Sequence, residues 1–236
     1  MKNKIIIVVC AVIVLIIGIV FLLPKNHETT DAEKFKEEYE SLNGTESSSG
    51  KTIRSLSISK DNPIIYSSAK EIIEMMDKEE SFAVYFGFAT CPWCRSVLPS
   101  LFEVAADLEI DKIYYVDVKD IRDTMVLNEE NEAVTEKSGT DDYYKLLEKF
   151  DSVLSTYQLT TEDGEKIDTG EKRIYAPNIV SVLGGKPQGL TTGISDSQTD
   201  GYMELTKDMQ KESYQKIKCV LECLAEEEIT CTKNAC

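Results

Sequence analysis

Apolar and polar positions alternate along the chain in blocks whose order predicts a layered α/β domain. Residues 82–88, Phe-Ala-Val-Tyr-Phe-Gly-Phe, are apolar almost throughout, as expected of a central strand buried on both faces. Beyond Cys91 the apolar positions Val97, Leu98, Leu101, Ala105 and Leu108 fall at helical spacing. Pro99 stands inside that helix and is expected to kink it. Residues 113–118 form the next apolar run. A helix between two such runs is a βαβ pattern, so the two strands are expected to be parallel neighbours. Ahead of them, residues 67–80 predict a helix capped by Ser67 or Ser68, with Ile72, Ile73 and Met76 along one face. Residues 52–59 alternate apolar and polar, with Ile53, Leu56 and Ile58 as the apolar positions, and predict an edge strand.

The pattern breaks over residues 119–172, which are polar and acidic. One helix is predicted there, over residues 141–156, with Tyr144, Leu147, Phe150, Val153 and Leu154 as its apolar positions. Residues 160–170 are turn-rich, and Asp163-Gly164 is a hairpin-turn pair. This region reads as a helical insertion with a loop. Residues 174–183 then predict a strand introduced by proline. A Gly184-Gly185-Lys186-Pro187 turn follows, and residues 188–192 can return antiparallel. Residues 205–225 predict a last helix bearing Met209, Ile217, Val220, Leu221 and Leu224.

At the other end, residues 5–23 carry no charge, and this length can span a bilayer core. Lys2 and Lys4 before it lean toward a cytoplasmic N-terminus. The alternative, a cleaved signal peptide, fits less well, because the run is long for an h-region and no Ala-x-Ala site follows. Cys10 within it reads as an apolar filler. Residues 26–50 are polar and end in a Gly/Ser-rich stretch, which reads as a stalk and linker. His27, the only histidine, belongs to it. The sequence thus divides into an anchor over residues 1–25, a stalk over 26–50, and a folded domain over 51–236. That domain carries the insertion and a cysteine-rich helix and tail over 205–236.

Charge and cysteines narrow the chemistry. The formal net charge is −16, which argues against nucleic acid, since phosphate binding needs Lys and Arg to displace counterions. Of seven cysteines, two form Cys91-Pro92-Trp93-Cys94, at the turn between the apolar strand and the helix. There a thiol meets the unpaired N–H groups and positive dipole end of a helix. Such a site lowers a thiol's pKa from about 8.5 to roughly 3.5–7.5. A thiolate with a second thiol three residues on is placed to exchange disulfides. Cys91, nearest the helix end and the more exposed, is the expected attacking thiolate, and Cys94 resolves the mixed disulfide. Trp93 either packs beside substrate or caps the loop. The Cys-x-x-Cys could also be half of a zinc site, whose other half would have to come from the C-terminal cysteines. Cys219 and Cys223 share one helix face and cannot easily bond each other. Pairing with Cys231 and Cys236 as Cys219–Cys236 and Cys223–Cys231 is the simplest arrangement, although spacing does not determine connectivity. A second redox centre or a four-cysteine metal site are the alternatives.

The order strand, Cys-x-x-Cys helix, strand, insertion, proline-led strand, hairpin strand, helix resembles the thioredoxin-like superfamily over residues 51–225. Pro99, five residues beyond Cys94, matches that family's helix-kinking proline. Pro177 matches its cis-proline facing the active-site sulfur, preceded here by Ala176, and Gly184-Gly185 matches its hairpin turn. The family carries a buried Asp six residues before the first cysteine, used in proton transfer. Here Tyr85 holds that place, a departure that bears on proton transfer. Asn178 stands where Thr often follows the cis-proline. The run Ala-Thr-Cys-Pro-Trp-Cys-Arg is similar to the glutaredoxin-type and bacteriocin transport accessory branches. The resemblance implies an extracytoplasmic, membrane-anchored thiol–disulfide oxidoreductase, or one secreted after cleavage. Its catalytic pair would be Cys91 and Cys94, and Trp93, Ala176 and Pro177 would bind substrate. Its partners would be protein or peptide thiols and disulfides and a separate redox partner. No metal and no cofactor beyond the redox-active disulfide would be needed. The alternative is a non-catalytic thioredoxin-fold accessory module, for example in peptide export.

Overall fold

A computed structural model describes residues 29–225. The apolar run 5–23, Cys10, His27, Cys231 and Cys236 lie outside the described residues. Among the described residues no helix is long and apolar enough to cross a membrane.

The fold is a mixed α/β arrangement, one five-stranded mixed sheet flanked by helices. Its centre is β2 (Phe82–Gly87), every residue of which is buried. β3 (Ile113–Asp117) lies parallel on one side and β8 (Asn178–Leu183) antiparallel on the other. β1 (Ile64–Tyr66) extends the sheet beyond β3 in parallel, and β9 (Lys186–Thr191) closes it antiparallel to β8. The strand period of two sorts β2 onto two cores. Ala83 and Tyr85 face one apolar cluster, and Phe82, Val84 and Phe86 face the other. On the Tyr85 face pack α1 (Asp31–Glu40), α3 (Pro92–Asp107) and α5 (Lys207–Leu221). On the opposite face pack α2 (Ala69–Asp77) and α4 (Asp141–Phe150). Ser68 caps α2 in a reciprocal capping box with Glu71, and Thr140 and Thr206 cap α4 and α5. α3 runs from Pro92 to Asp107 with Pro99 inside it. The β8–β9 turn needs glycine at Gly185, where φ is +74° and a Cβ would lie 2.1 Å from the Met76 carbonyl oxygen.

Three expectations for the segments ahead of β1 are overturned. The stretch read as a stalk is part of the domain: the compact unit begins at Asp31, and Phe35 and Tyr39 of α1 are fully buried in the core. Residues 43–50, read as a linker, form a tight reversal in which Ser47 N–H donates to the Lys51 carbonyl at 2.8 Å. Residues 52–59 are not an edge strand. Ile53, Leu56 and Ile58 are buried as the alternation requires, but side chains satisfy the backbone where a neighbouring strand would. Leu56 N–H donates to Asn43 Oδ1 at 2.9 Å, Asn43 Nδ2 donates to the Leu56 carbonyl at 2.8 Å, and Ile58 N–H donates to Glu40 Oε1 at 2.7 Å. The edge strand is β1 instead, adjoining the short pairing of Ile64–Tyr66 with β3.

The insertion is mainly β rather than helical. β4 (Thr124–Leu127) pairs with β5 (Ala133–Lys137), and β6 (Thr156–Thr160) pairs with β7 (Lys166–Lys172), each as an antiparallel hairpin. The Asp163-Gly164 pair does sit in the β6–β7 turn, with φ +85° at Gly164. α4 stops at Phe150, and β8 starts after Pro177 rather than before it. Asp123 before β4 and Arg173 after β7 form a buried ion pair at 2.9 Å, so the ends of the two hairpins are tied together.

The insertion's counterpart on the opposite face of the sheet is a single side chain. Arg95 in α3 is wholly buried, yet it meets no carboxylate. Its Nε donates to the Arg54 carbonyl at 2.7 Å, and Nη1 donates to the Tyr39 and Ala89 carbonyls at 2.9 and 3.2 Å. Nη2 donates to Asn43 Oδ1 at 2.7 Å. Burial pulls its pKa below the ordinary arginine value, but a guanidinium stays charged in proteins. Replacement of Arg95 by Met is expected to cost about 3–5 kcal/mol, since charge-assisted hydrogen bonds are lost and carbonyls are left buried without donors. Phe35→Ala is expected to cost about 3–5 kcal/mol as a core cavity. Urea unfolding measures both, and a negligible change for Phe35→Ala would contradict the placement of α1 in the core.

Candidate active site

β2 ends at Gly87 and the chain turns sharply, Cys91 N–H donating to the Phe88 carbonyl at 3.1 Å. Cys91 is then the N-cap of α3, with extended φ −74° and ψ 117°, and Pro92 occupies the first helical turn. A cap side chain accepts from the helix's unpaired N–H groups. Here the acceptor is sulfur: Cys94 N–H donates to Cys91 Sγ at 3.3 Å. The Cys91 thiol in turn reaches the Ala176 carbonyl at 3.3 Å. The Ala176–Pro177 peptide is cis. Just beyond it, Tyr175 N–H donates to Asn178 Oδ1 at 2.6 Å, which folds the chain into the tight bend that holds Ala176 over the sulfur.

Both thiols are free, and the site treats them oppositely. Cys91 is pulled below the ordinary cysteine pKa, first by a hydrogen bond from the Cys94 thiol. Burial opposes the shift, while the Cys94 and Trp93 amides and the charge of Arg122 add to it. Cys94 is pushed well above its ordinary value by burial, then by the neighbouring Cys91 sulfur. The reading of Cys91 as the more exposed thiol holds only narrowly, since Cys91 is 4% exposed and Cys94 0%. Cys91 nevertheless forms the floor of an open cleft of about 760 Å³.

Behind Cys94 stands Tyr85, where its resemblance would place an aspartate. Its hydroxyl acts on the Cys94 sulfur through a hydrogen bond that favours the thiolate. Gly87 leaves the space for this ring, because a Cβ there would lie 2.5 Å from the Tyr85 hydroxyl oxygen. Tyr85 hydroxyl meets Tyr39 hydroxyl at 3.4 Å and its ring stacks on Tyr115 at 5.5 Å. All three phenols are fully buried, and burial raises the pKa of each, so they stay neutral.

Of the residues singled out from sequence, Cys91, Cys94, Trp93, Ala176 and Pro177 lie together. Trp93 is half-buried and separates the main cleft from a second one of about 460 Å³, floored by Ala176 and Pro177. Gly201 packs so closely on this loop that a Cβ there would lie 2.9 Å from Pro92 and 3.3 Å from the Trp93 ring. Cys219 and Cys223 are not part of this site. Both are in disulfides, and Cys231 and Cys236, and so the connectivity, fall outside the described residues. Among the described residues no three His, Cys, Asp or Glu side chains converge as a metal site.

Sequence reasoning missed the other walls. Arg122, half-buried, holds its guanidinium 5.2 Å over the Phe88 ring, and Arg173 stacks 4.2 Å over Tyr157. With Lys119, Tyr175 and Tyr202 they complete the cleft. One signal pointed there: parallel β2 and β3 end at the same edge, and side chains just past parallel strand ends converge on ligand sites. Lys119 and Arg122 follow β3 directly.

No protein-family model matches the chain, and no curated protein matches it.

Alkylation of the reduced protein with iodoacetamide is expected to label Cys91 and spare Cys94. The Cys91 rate should fall as pH drops through a midpoint below that of an ordinary thiol, because only the thiolate reacts. Arg122→Gln is expected to raise that midpoint. Equal labelling of both cysteines, or a midpoint at the ordinary value, would overturn the assignment of Cys91 as the activated thiol.

Proposed function

We propose that the protein is a thiol–disulfide oxidoreductase of thioredoxin-like fold, acting on protein or peptide substrates with Cys91 as nucleophile and Cys94 as resolving thiol. The observation that carries this reading is the Cys91 sulfur, which caps α3 and faces the Ala176 carbonyl at 3.3 Å on the floor of a cleft. A helix N-cap is where main-chain amides favour an anion over a neutral group. The mixed sheet, the helix that starts at the dithiol and the proline-bearing bend across from it support the fold assignment.

In the reducing direction the Cys91 thiolate attacks one sulfur of a substrate disulfide. An S–S bond forms as the substrate's breaks, and the departing sulfur leaves as a thiolate that takes up a proton. Cys94 then loses its proton and attacks Cys91. The Cys91–Cys94 bond forms and the second substrate thiol leaves and is protonated. Two electrons and two protons have passed to the substrate, and an external dithiol donor must restore the pair. Run backwards, the same steps oxidise a substrate dithiol, with a disulfide acceptor as co-reactant. The pKa ordering suits either direction: the anion resides on the accessible sulfur until it is consumed, and Cys94 keeps its proton until Cys91 has been spent.

The compartment follows from composition. The uncharged run 5–23 would tether the domain by its N-terminus on the extracytoplasmic side, where disulfide exchange has substrates. A second reading, a thioredoxin-fold accessory module whose Cys91–Cys94 pair is structural, is favoured by one observation, the 4% exposure of Cys91.

Cys91→Ser is expected to reduce insulin disulfides no faster than the uncatalysed rate, and Cys94→Ser is expected to accumulate a covalent mixed disulfide visible by mass spectrometry under non-reducing conditions. Wild-type turnover by the Cys91→Ser protein would sink the proposal and leave the accessory module.

A further inference from the structure

We infer that the cleft beside Cys91 selects polypeptide substrates that carry a carboxylate next to the reacting cysteine. This deepens the exchange reading and rests on it. The chain as a whole repels acidic partners: 42 Asp and Glu stand against 26 Lys and Arg. The wall of the cleft on the β3 side reverses that sign with Lys119, Arg122 and Arg173. Arg173 is spent on Asp123 at 2.9 Å. Lys119 and Arg122 form no ion pair among the described residues. Asp117, whose carboxylate feels both charges, accepts the Lys119 main-chain N–H at 2.8 Å and does not line the cleft. Of the lining residues only Glu46 is acidic, and it is exposed on the opposite wall.

Arg122 is the centre of this patch. Its guanidinium lies 5.2 Å over the Phe88 ring, and a guanidinium's forked donors suit a bidentate carboxylate acceptor. Arg122 lines the same cleft as Cys91, so an anion seated on it shares that cleft with the exchanging disulfide. The other end of the groove differs in character. Past Trp93, the second cleft is lined by Pro177, Thr192 and Ile194, and its one carboxylate, Asp196, is paired with Lys216 at 2.6 Å. The two clefts share Trp93, Tyr175 and Ala176. An extended chain laid across them would place its cysteine over Cys91, an acidic side chain toward Arg122 and Lys119, and an apolar one toward Ile194. A small anionic thiol would use only the first of these.

The test uses the reduced full-length chain and peptides that are disulfide-linked to themselves and identical except for Glu, Gln or Lys beside the cysteine. Thiol release is expected to be about tenfold faster for Glu than for Gln and slower again for Lys, the scale of electrostatic steering by a local patch. The Glu-to-Lys ratio should collapse toward one in the Lys119→Gln, Arg122→Gln double variant. It should also shrink in the unaltered protein between about 20 mM and about 500 mM salt, where the screening length falls to a few ångströms. The ratio is read rather than the rate, because Arg122 also sets Cys91 reactivity. Equal rates for the three peptides, with the neutral 2-hydroxyethyl disulfide still reduced, would overturn the inference and leave the exchange activity standing. No reaction with the neutral disulfide or any peptide would overturn both. If bis(carboxymethyl) disulfide, a small dianion, reacts as fast as the Glu peptide, the selected partner is a small anionic thiol and the polypeptide assignment fails.

Discussion

One buried guanidinium holds the working end of this molecule in place. Arg95 stands one residue beyond Cys94 and has no water to solvate it, so its donors must be met by the protein or the charge could not be buried at all. The acceptors come from four separate places: Tyr39 at the end of α1, Asn43 in the reversal after it, Arg54 in the extended segment, and Ala89 in the loop that leads into Cys91. Each of these carbonyls is itself committed to that position once the charge is there. The N-terminal segments and the active-site loop are thereby fixed relative to α3, and the cleft wall formed by Leu42, Glu46 and Ile53 follows from the same tie.

With the loop fixed, the chemistry of the pair follows from one turn of helix. Cys91 lies at the cap, where N–H groups point outward and sulfur can accept them. Cys94 lies three residues along, inside the hydrophobic cluster, where burial outweighs the help an anion gets from the Tyr85 phenol and the Phe88 backbone. The same three-residue step separates a thiol that is easily ionised from one that resists ionisation. Tyr85, Tyr39 and Tyr115 form the lining on the buried side, neutral hydroxyls in place of a carboxylate. A carboxylate there would itself have to be kept neutral or paired beside Arg95. Phenols remove that requirement, since burial keeps them neutral.

The sequence made the scaffold legible where apolar residues repeat with a clear period. β2 and β3, the amphipathic helices α2, α3 and α5, and the dithiol at the strand-to-helix turn all follow from such periods. Residues 31–59 were opaque for a physical reason. α1 buries only Phe35 and Tyr39 among ten largely charged residues, and the segment after it satisfies its backbone with Asn43 and Glu40 side chains. The first leaves too little apolar trace to separate it from a tether, and the second alternates like a strand without a strand partner. The hairpins of the insertion were opaque for another reason. β6 has its residues alternately exposed and half-buried with none fully buried, and β5 is almost wholly exposed, so their strands are specified by pairing and turns instead of by apolar content.

The parts that resisted reading from sequence are those that shape the cleft. Cys91, Cys94 and Pro177 sit on elements dictated by the core, and their chemistry could be inferred from local context. The walls come from α1's flank and from the insertion: Glu46 on one side, Arg122, Tyr157 and Arg173 on the other. Most wall residues are exposed or half-buried, carry no periodicity, and gain their meaning only from what the fold brings opposite them. Arg122 is one of 26 cations in a chain with 42 anions, and nothing in its local sequence distinguishes it. What does distinguish it is the parallel pairing of β2 and β3, which brings the ends of both strands to one edge and so puts Arg122 and Cys91 in the lining of one cleft. The dithiol turn is thus encoded locally and the walls around it globally, and the two meet where that edge of the sheet assembles them.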